Sequence, residues 1–164
     1  WQMRQGAMVA RAAVLLFLHA DTSLPPNTLE LLGALPRRDT LWGCFNVRLS
    51  GADYRFRVIE WFINQRSRWS GISTGDQALF VSRELYERAG GFASLPLMED
   101  IEFCRRLGRL AKPVRVPSAV VTSSRRWEQR GVWATVWLMW SLRLAYFLGV
   151  PATRLAARYR RDPA

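Results

Sequence analysis

Val14-Leu15-Leu16-Phe17-Leu18-His19-Ala20-Asp21 is an apolar run that stops at a histidine and, two places on, an acid. Such a run shows no amphipathic alternation. It predicts a strand over 14–18 buried on both faces, as in a parallel α/β sheet. Ligands of such sheets sit at the carboxyl ends of the strands, which is where His19 and Asp21 fall. Residues two apart on an extended chain project to the same side. The pair therefore suits one metal ion, or one metal bound to a phosphate.

Outward from this strand the elements alternate. Leu24-Pro25-Pro26-Asn27 reads as a turn and helix start, with a helix over 28–35 ending at Pro36. A strand over 41–49 carries the β-formers Trp42, Cys44 or Phe45, and Val47. The spacing predicts a helix over 54–69 with Val58, Trp61, Phe62 and Gln65 on one face. A loop over 71–75, a short buried strand over 78–81 and a helix over 83–89 closed by Gly90-Gly91 follow. A helix over 99–110 turns Ile101, Cys104 and Leu107 inward and pairs Glu102 with Arg106 at i,i+4. A further strand lies over 113–121.

The fold class is thus α/β, a mixed sheet flanked by helices. No repeat or low-complexity linker divides it, and 164 residues suffice for one domain with a core. The 14–18 strand begins too early for a complete doubly wound sheet, so an N-terminal portion is expected ahead of Trp1. Cys44 and Cys104 lie far apart without metal-type spacing. That points to a reducing compartment and away from a disulfide scaffold or a zinc site.

The net charge is +11, from 24 basic and 13 acidic residues. Nucleic acid, an anionic membrane surface and a phosphate-rich ligand would each suit such a charge. The basic residues are nearly all arginine, scattered through many elements, and no zinc finger, helix-turn-helix or RNP-type strand is visible. The pattern argues against nucleic acid and for an arginine-rich surface of the kind a GC-rich genome encodes.

Two further stretches carry chemistry. Leu97-Met98-Glu99-Asp100-Ile101-Glu102 opens a helix with adjacent acids. Acids in a first turn complement the helix dipole and cap its free N–H groups. They also follow a loop downstream of Gly75-Asp76-Gln77, and a carboxylate at a loop-to-helix junction can accept a proton and be aimed. Ser123-Ser124-Arg125-Arg126-Trp127 reads either as a basic turn with a core tryptophan or as a phosphate clamp of one planar guanidinium beside an indole.

The order LLFLHADT, GDQALFVSRELYERAGGF, LPLMEDIEFCRRL and TSSRRW resembles family 2 glycosyltransferases of the GT-A fold, over nearly the whole chain. It looks closest to the bacterial subgroup described as "transferase 2, rSAM/selenodomain-associated". The resemblance implies a GT-A-like, Rossmann-like sheet, incomplete at the N-terminus, in a single partial domain over 1–164. A catalytic portion would span 1–130 and a segment of C-terminal amphipathic helices 131–164. The strand and loop that hold the nucleotide base and ribose would precede Trp1.

The resemblance also implies roles. The DxD-type motif falls on His19-Ala20-Asp21, with His19 in place of the first acid. Asp21 and His19 would then bind a divalent cation, Mn²⁺ or Mg²⁺, and the donor diphosphate. The ED motif falls on Glu99-Asp100, making Asp100 the general base and Glu99 an acceptor-placing group. Arg126 and Trp127 match the end of a QxxRW-like segment, with Ser123 where Gln would stand, and would bind the donor. Gly75 and Asp76 match the donor side of the pocket loop, and Gln77 its acceptor side. The implied activity is inverting transfer from a nucleotide-sugar to an acceptor hydroxyl, on a lipid, saccharide or other small molecule. A non-catalytic or degenerate module of the same fold, or a basic membrane-surface protein, are the alternatives.

Residues 132–150 bear on location. Trp133, Trp137, Trp140, Leu144 and Phe147 fall on one helical face and Arg143 is the only charge. The length is borderline for a membrane span, which needs about twenty apolar residues. A mid-bilayer arginine costs on the order of 3 kcal/mol. With Arg154, Arg158, Arg160 and Arg161 following, the segment reads as an interfacial helix at an anionic membrane or as a helix packed over the domain or a second subunit. The expected location is cytoplasmic, with possible peripheral contact at the inner face of the membrane.

Overall fold

The computed structural model describes residues 2–36 and 38–161, and its spine is a mixed five-stranded sheet. Trp1, Arg37, residues 162–164 and the side chain of Arg161, all within the expected 1–164 domain, lie outside the described residues. The strands are β1 (Val14–Phe17), β2 (Thr22–Ser23), β3 (Trp42–Leu49), β4 (Leu79–Ser82) and β5 (Val114–Thr122), in the spatial order β1-β4-β3-β5-β2. Only β3 and β5 run parallel; the other neighbours are antiparallel. The register of β3 on β5 jumps between Phe45 and Asn46, skipping Pro117 and Ser118. A proline cannot donate to a ladder. Its carbonyl instead accepts from Asn46 Nδ2 at 2.9 Å.

The β1 strand departs from expectation in one respect. It is an edge strand, paired antiparallel to β4 alone, and not the interior of a parallel sheet. Both of its faces are nevertheless covered. Leu15 and Phe17 pack with Trp42, Val81, Phe92 and Phe103, while Val14 and Leu16 pack with Phe45, Phe80 and Leu32. An apolar run reports covered faces, and that is independent of strand direction.

Helices α1 (Gln2–Val9), α2 (Thr28–Gly33), α3 (Tyr54–Ser70), α4 (Arg83–Arg88) and α5 (Glu99–Leu110) flank this sheet. In α5 the buried residues are Ile101, Phe103, Cys104 and Leu107, and Arg106 pairs with Glu102 at 2.6 Å, as the spacing required. Helix α3 differs from expectation. Its core face is Phe56, Ile59, Glu60 and Ser67, whereas Val58, Trp61 and Phe62 are exposed. Two apolar stripes share the helix, and the sheet took the other one. Glu60 is buried because its carboxylate accepts from Leu49 N at 2.6 Å and pairs with Arg57 at 2.8 Å.

Helices α6 (Arg125–Arg130), α7 (Val132–Phe147) and α8 (Ala152–Arg161) close the chain. Leu138 and Leu142 of α7 pack with Ile101 and Leu155. Helix α8 is amphipathic, burying Ala152, Leu155 and Ala156 beneath exposed Arg154 and Arg158. Helix α7 is not, because Trp133, Trp137, Trp140, Leu144 and Phe147 remain exposed opposite its buried side. No helix among the described residues is long and apolar enough to cross a membrane.

Candidate functional site

The chemistry-bearing stretches meet through short backbone links. Asp21 O accepts from Ser123 N at 3.1 Å, tying the end of the first stretch to the start of the Arg-Trp stretch. Gly75 opens a 3₁₀ turn, Gly75–Gln77, against which the His19 imidazole lies. A Cβ on residue 75 would overlap His19 Nε2, so glycine is needed here for close approach. Gly75 N in turn donates to Asp100 Oδ2 at 3.0 Å. The first stretch, the Gly-Asp-Gln loop and the acid pair are thereby stitched together.

A cavity of about 890 Å³ opens where they meet. His19, Asp21, Gly75 and Asp76 line it, as do Glu99, Asp100, Arg126 and Trp127. Its size is that of a small-molecule pocket. Gln77 is placed differently. It is fully buried, its Oε1 accepts from Thr74 N at 3.2 Å, and it caps the 3₁₀ turn instead of lining the cavity. The expected acceptor-side role thus becomes one of holding Gly75 and Asp76 in place.

Asp100 stands at the head of α5, enclosed by protein but open to the cavity. Burial pushes its carboxyl above the ordinary carboxylate range; N–H groups of Ile101 (2.7 Å to Oδ1) and Gly75 pull the other way. Glu99 is also pushed up, by burial first and by the Asp100 charge, while His19 opposes the shift. A carboxylate raised in this way is a better proton acceptor near neutral pH. The two non-glycine residues with positive φ among the described residues, Ala78 (48°) and Met98 (66°), flank this pair of loops. Backbone held in that region carries strain, which clusters at working sites.

Two arginines that the sequence did not single out as site residues complete the polar end. Arg66, from the last turns of α3, and Arg143, from α7, both line the cavity. Burial lowers Arg66 to about 10, the Arg143 charge adds to this, and Asp76 and Asp100 oppose it. Arg143 is lowered by burial and supported by the same two aspartates. The cluster is not saturated internally: Arg66 Nε and Asp76 Oδ1 are buried without hydrogen-bond partners. Arg143 had a signal, as the one charge in an apolar helix. Arg66 had none, because arginines are frequent throughout this chain.

Arg126 is exposed, with its guanidinium over the Tyr159 ring at 5.1 Å, and the Trp127 indole packs by Phe56 and Ile59. Of the two readings of this stretch, each residue takes part of one. Trp127 is half-buried wall, and Arg126 is an exposed cation at the rim, stacked on Tyr159.

Among the described residues no group of three or more His, Cys, Asp or Glu side chains is arranged to hold a metal ion. Asp21 and His19 offer one carboxylate and one imidazole, both exposed at the cavity rim. Magnesium-type ions are commonly held by one or two carboxylates together with substrate phosphates and water. Strand β1 ends at Phe17, and His19 and Asp21 sit on a turn in which Thr22 N donates to His19 O, not on the extended chain expected to project both to one side. One carboxylate and one imidazole there are an incomplete donor set without ligands from elsewhere. No protein-family model matches the chain, and no curated protein or solved structure matches it.

Proposed function

We propose that the cavity is the site of an inverting glycosyl transfer from a nucleotide-sugar donor to an acceptor hydroxyl, carried on a GT-A-like sheet. The observation that supports this reading most is the meeting of all four stretches in one cavity, with Asp100 at its polar end. In this reading Asp100 takes the proton of the acceptor hydroxyl as that oxygen attacks the anomeric carbon. The bond from that carbon to the diphosphate breaks, and the diphosphate leaves with the electron pair. Arg126 at the rim meets the charge that develops on it. A divalent cation bound by Asp21, His19 and the diphosphate would supply further charge neutralisation there. Glu99 orients the acceptor, while Asp76 and Trp127 belong to the donor side. The location that goes with this reading is the cytoplasm, with the exposed tryptophan face of α7 meeting either the inner membrane surface or a second protein.

The test is Asp100→Asn. Transfer should fall by roughly 10²–10⁴, the share of a general base, while calorimetric binding of the nucleotide-sugar is kept. Wild-type turnover in this variant would overturn the reading. A second reading, a non-catalytic binding module of the same architecture, is favoured by His19 in the first-acid position. Hydrolysis of a nucleotide-sugar by the protein would exclude it.

A further inference from the structure

The walls of the cavity are as distinctive as its polar end. Along α3, Tyr54, Val58 and Phe62 line it at i, i+4 and i+8, and Arg66 continues the row at i+12. Along α7, Trp133, Val136 and Trp140 line it, and Arg143 ends the row. Two helical stripes thus face one space, each apolar for most of its length and each finishing in an arginine beside Asp76 and Asp100. Folding does not require these apolar side chains: Val58 is 51 % exposed, Phe62 57 %, Trp133 75 % and Trp140 63 %. The core side of α3 is made by Phe56 and Ile59 instead, and that of α7 by Leu138 and Leu142.

The polar end holds carboxylates that accept and guanidinium groups that donate, with Asp76 Oδ1 and Arg66 Nε left unpaired. A hydroxyl both donates and accepts, so it answers both kinds of group. Along the two rows polar groups are few, the Tyr54 hydroxyl and the indole N–H groups of Trp133 and Trp140 among them, so most hydroxyls pressed against these walls would be left unpaired, which is costly in a desolvated site. A ligand matched to this space has one hydroxyl-bearing head and a long apolar body.

We propose that the cavity takes an amphipathic alcohol, its hydroxyl head among Asp76, Asp100, Arg66 and Arg143 and its alkyl or aryl body between α3 and α7. The inference rests on the transferase reading only for the fate of that hydroxyl; the binding stands separately.

Calorimetry with octyl β-glucoside, kept below micelle-forming concentration, against methyl β-glucoside isolates the apolar body. The octyl compound should bind at least tenfold more tightly. Val58→Asp and Phe62→Ser change exposed positions, so the fold is retained, and each should weaken octyl binding by about tenfold without altering the methyl compound. Trp137→Ser, on α7 but outside the cavity lining, should leave both unchanged. Equal affinity for the two glucosides, or octyl binding that survives Val58→Asp and Phe62→Ser, would overturn the proposal. Octyl binding in a protein that transfers no sugar to any alcohol would sink the transferase reading and leave this one standing. Transfer to octyl β-glucoside as efficient in Val58→Asp as in the wild type would do the reverse.

Discussion

Helix α7 is far richer in apolar residues than α5, and the two helices use them in opposite ways. In α5 the large side chains Ile101, Phe103 and Leu107 all turn into the core, and the outer face is polar and basic. In α7 one side packs on Ile101 and Leu155, while three tryptophans, Leu144 and Phe147 remain in the open. The pattern of α5 is accounted for by folding alone, because burying apolar area is the main favourable contribution to stability. The pattern of α7 is not. Its outer face adds nothing to the core and lowers solubility, so the reason for it lies in what the protein meets.

The sharpest break of this comparison is in stability. Phe103→Ala in α5 removes a fully buried ring and should cost about 3–5 kcal/mol, read by denaturant unfolding. A loss below about 1 kcal/mol would show that α5 is not the packed helix described.

The two helices also meet electrostatically, since Arg143 of α7 and Asp100 of α5 act on one another. The raised carboxyl of Asp100 places the acidic limb of the transfer rate above the ordinary carboxylate range. Arg143→Met should move that limb to still higher pH. A limb unmoved in Arg143→Met would uncouple the helices. The sign for stability is opposite to that of a salt-bridged acid. The native state holds the Asp100 proton more tightly than the unfolded chain does. This contribution is present below the unfolded-state pKa and is lost as pH rises through the folded one. Glu99, also raised, acts in the same direction.

A smaller effect is expected where the head of α5 meets the Gly75 turn. Gly75→Ala drives the His19 imidazole out of its place. Because the ring can swing away, stability should fall by only about 1 kcal/mol, while transfer drops roughly tenfold. Unchanged transfer would remove His19 from the site. The smallest effect is Trp137→Ala in α7, within about 0.5 kcal/mol of wild type. Flotation of the protein with anionic vesicles reads the same face by another route. Flotation that is lost in Trp137→Ala assigns the tryptophan ridge to a membrane surface, and absence of flotation in the wild type assigns it to protein.

Much of this arrangement could be read along the chain. The helix over 99–110, its inward residues and its Glu102–Arg106 pair follow from a 3.6-residue period that only one packing satisfies. The strands over 41–49, 78–81 and 113–121 appear within a residue or two, because short apolar β-branched and aromatic runs have few other uses. His19, Asp21, Glu99 and Asp100 stood out because polar groups that interrupt apolar runs at element ends need a reason. Gln77 was misplaced since a polar residue in a loop gives no sign of whether it faces a ligand or its own turn. Helix α3 was misread because it carries two apolar stripes, and only the sheet's position decides which is covered.

What the order of residues determined by itself is local: where elements begin and end, which strand faces are covered, and which side chains have chemistry to offer. These follow from backbone sterics and periodicity, which act within a few residues. Tertiary structure alone decided that β1 is an edge strand, that Arg66 and Arg143 share a polar end with Asp76 and Asp100, and that α3 and α7 face each other across one cavity. Those relations join residues that lie far apart along the chain. Such pairings are chosen by competition among all the apolar surfaces for the same core, which no single stretch records.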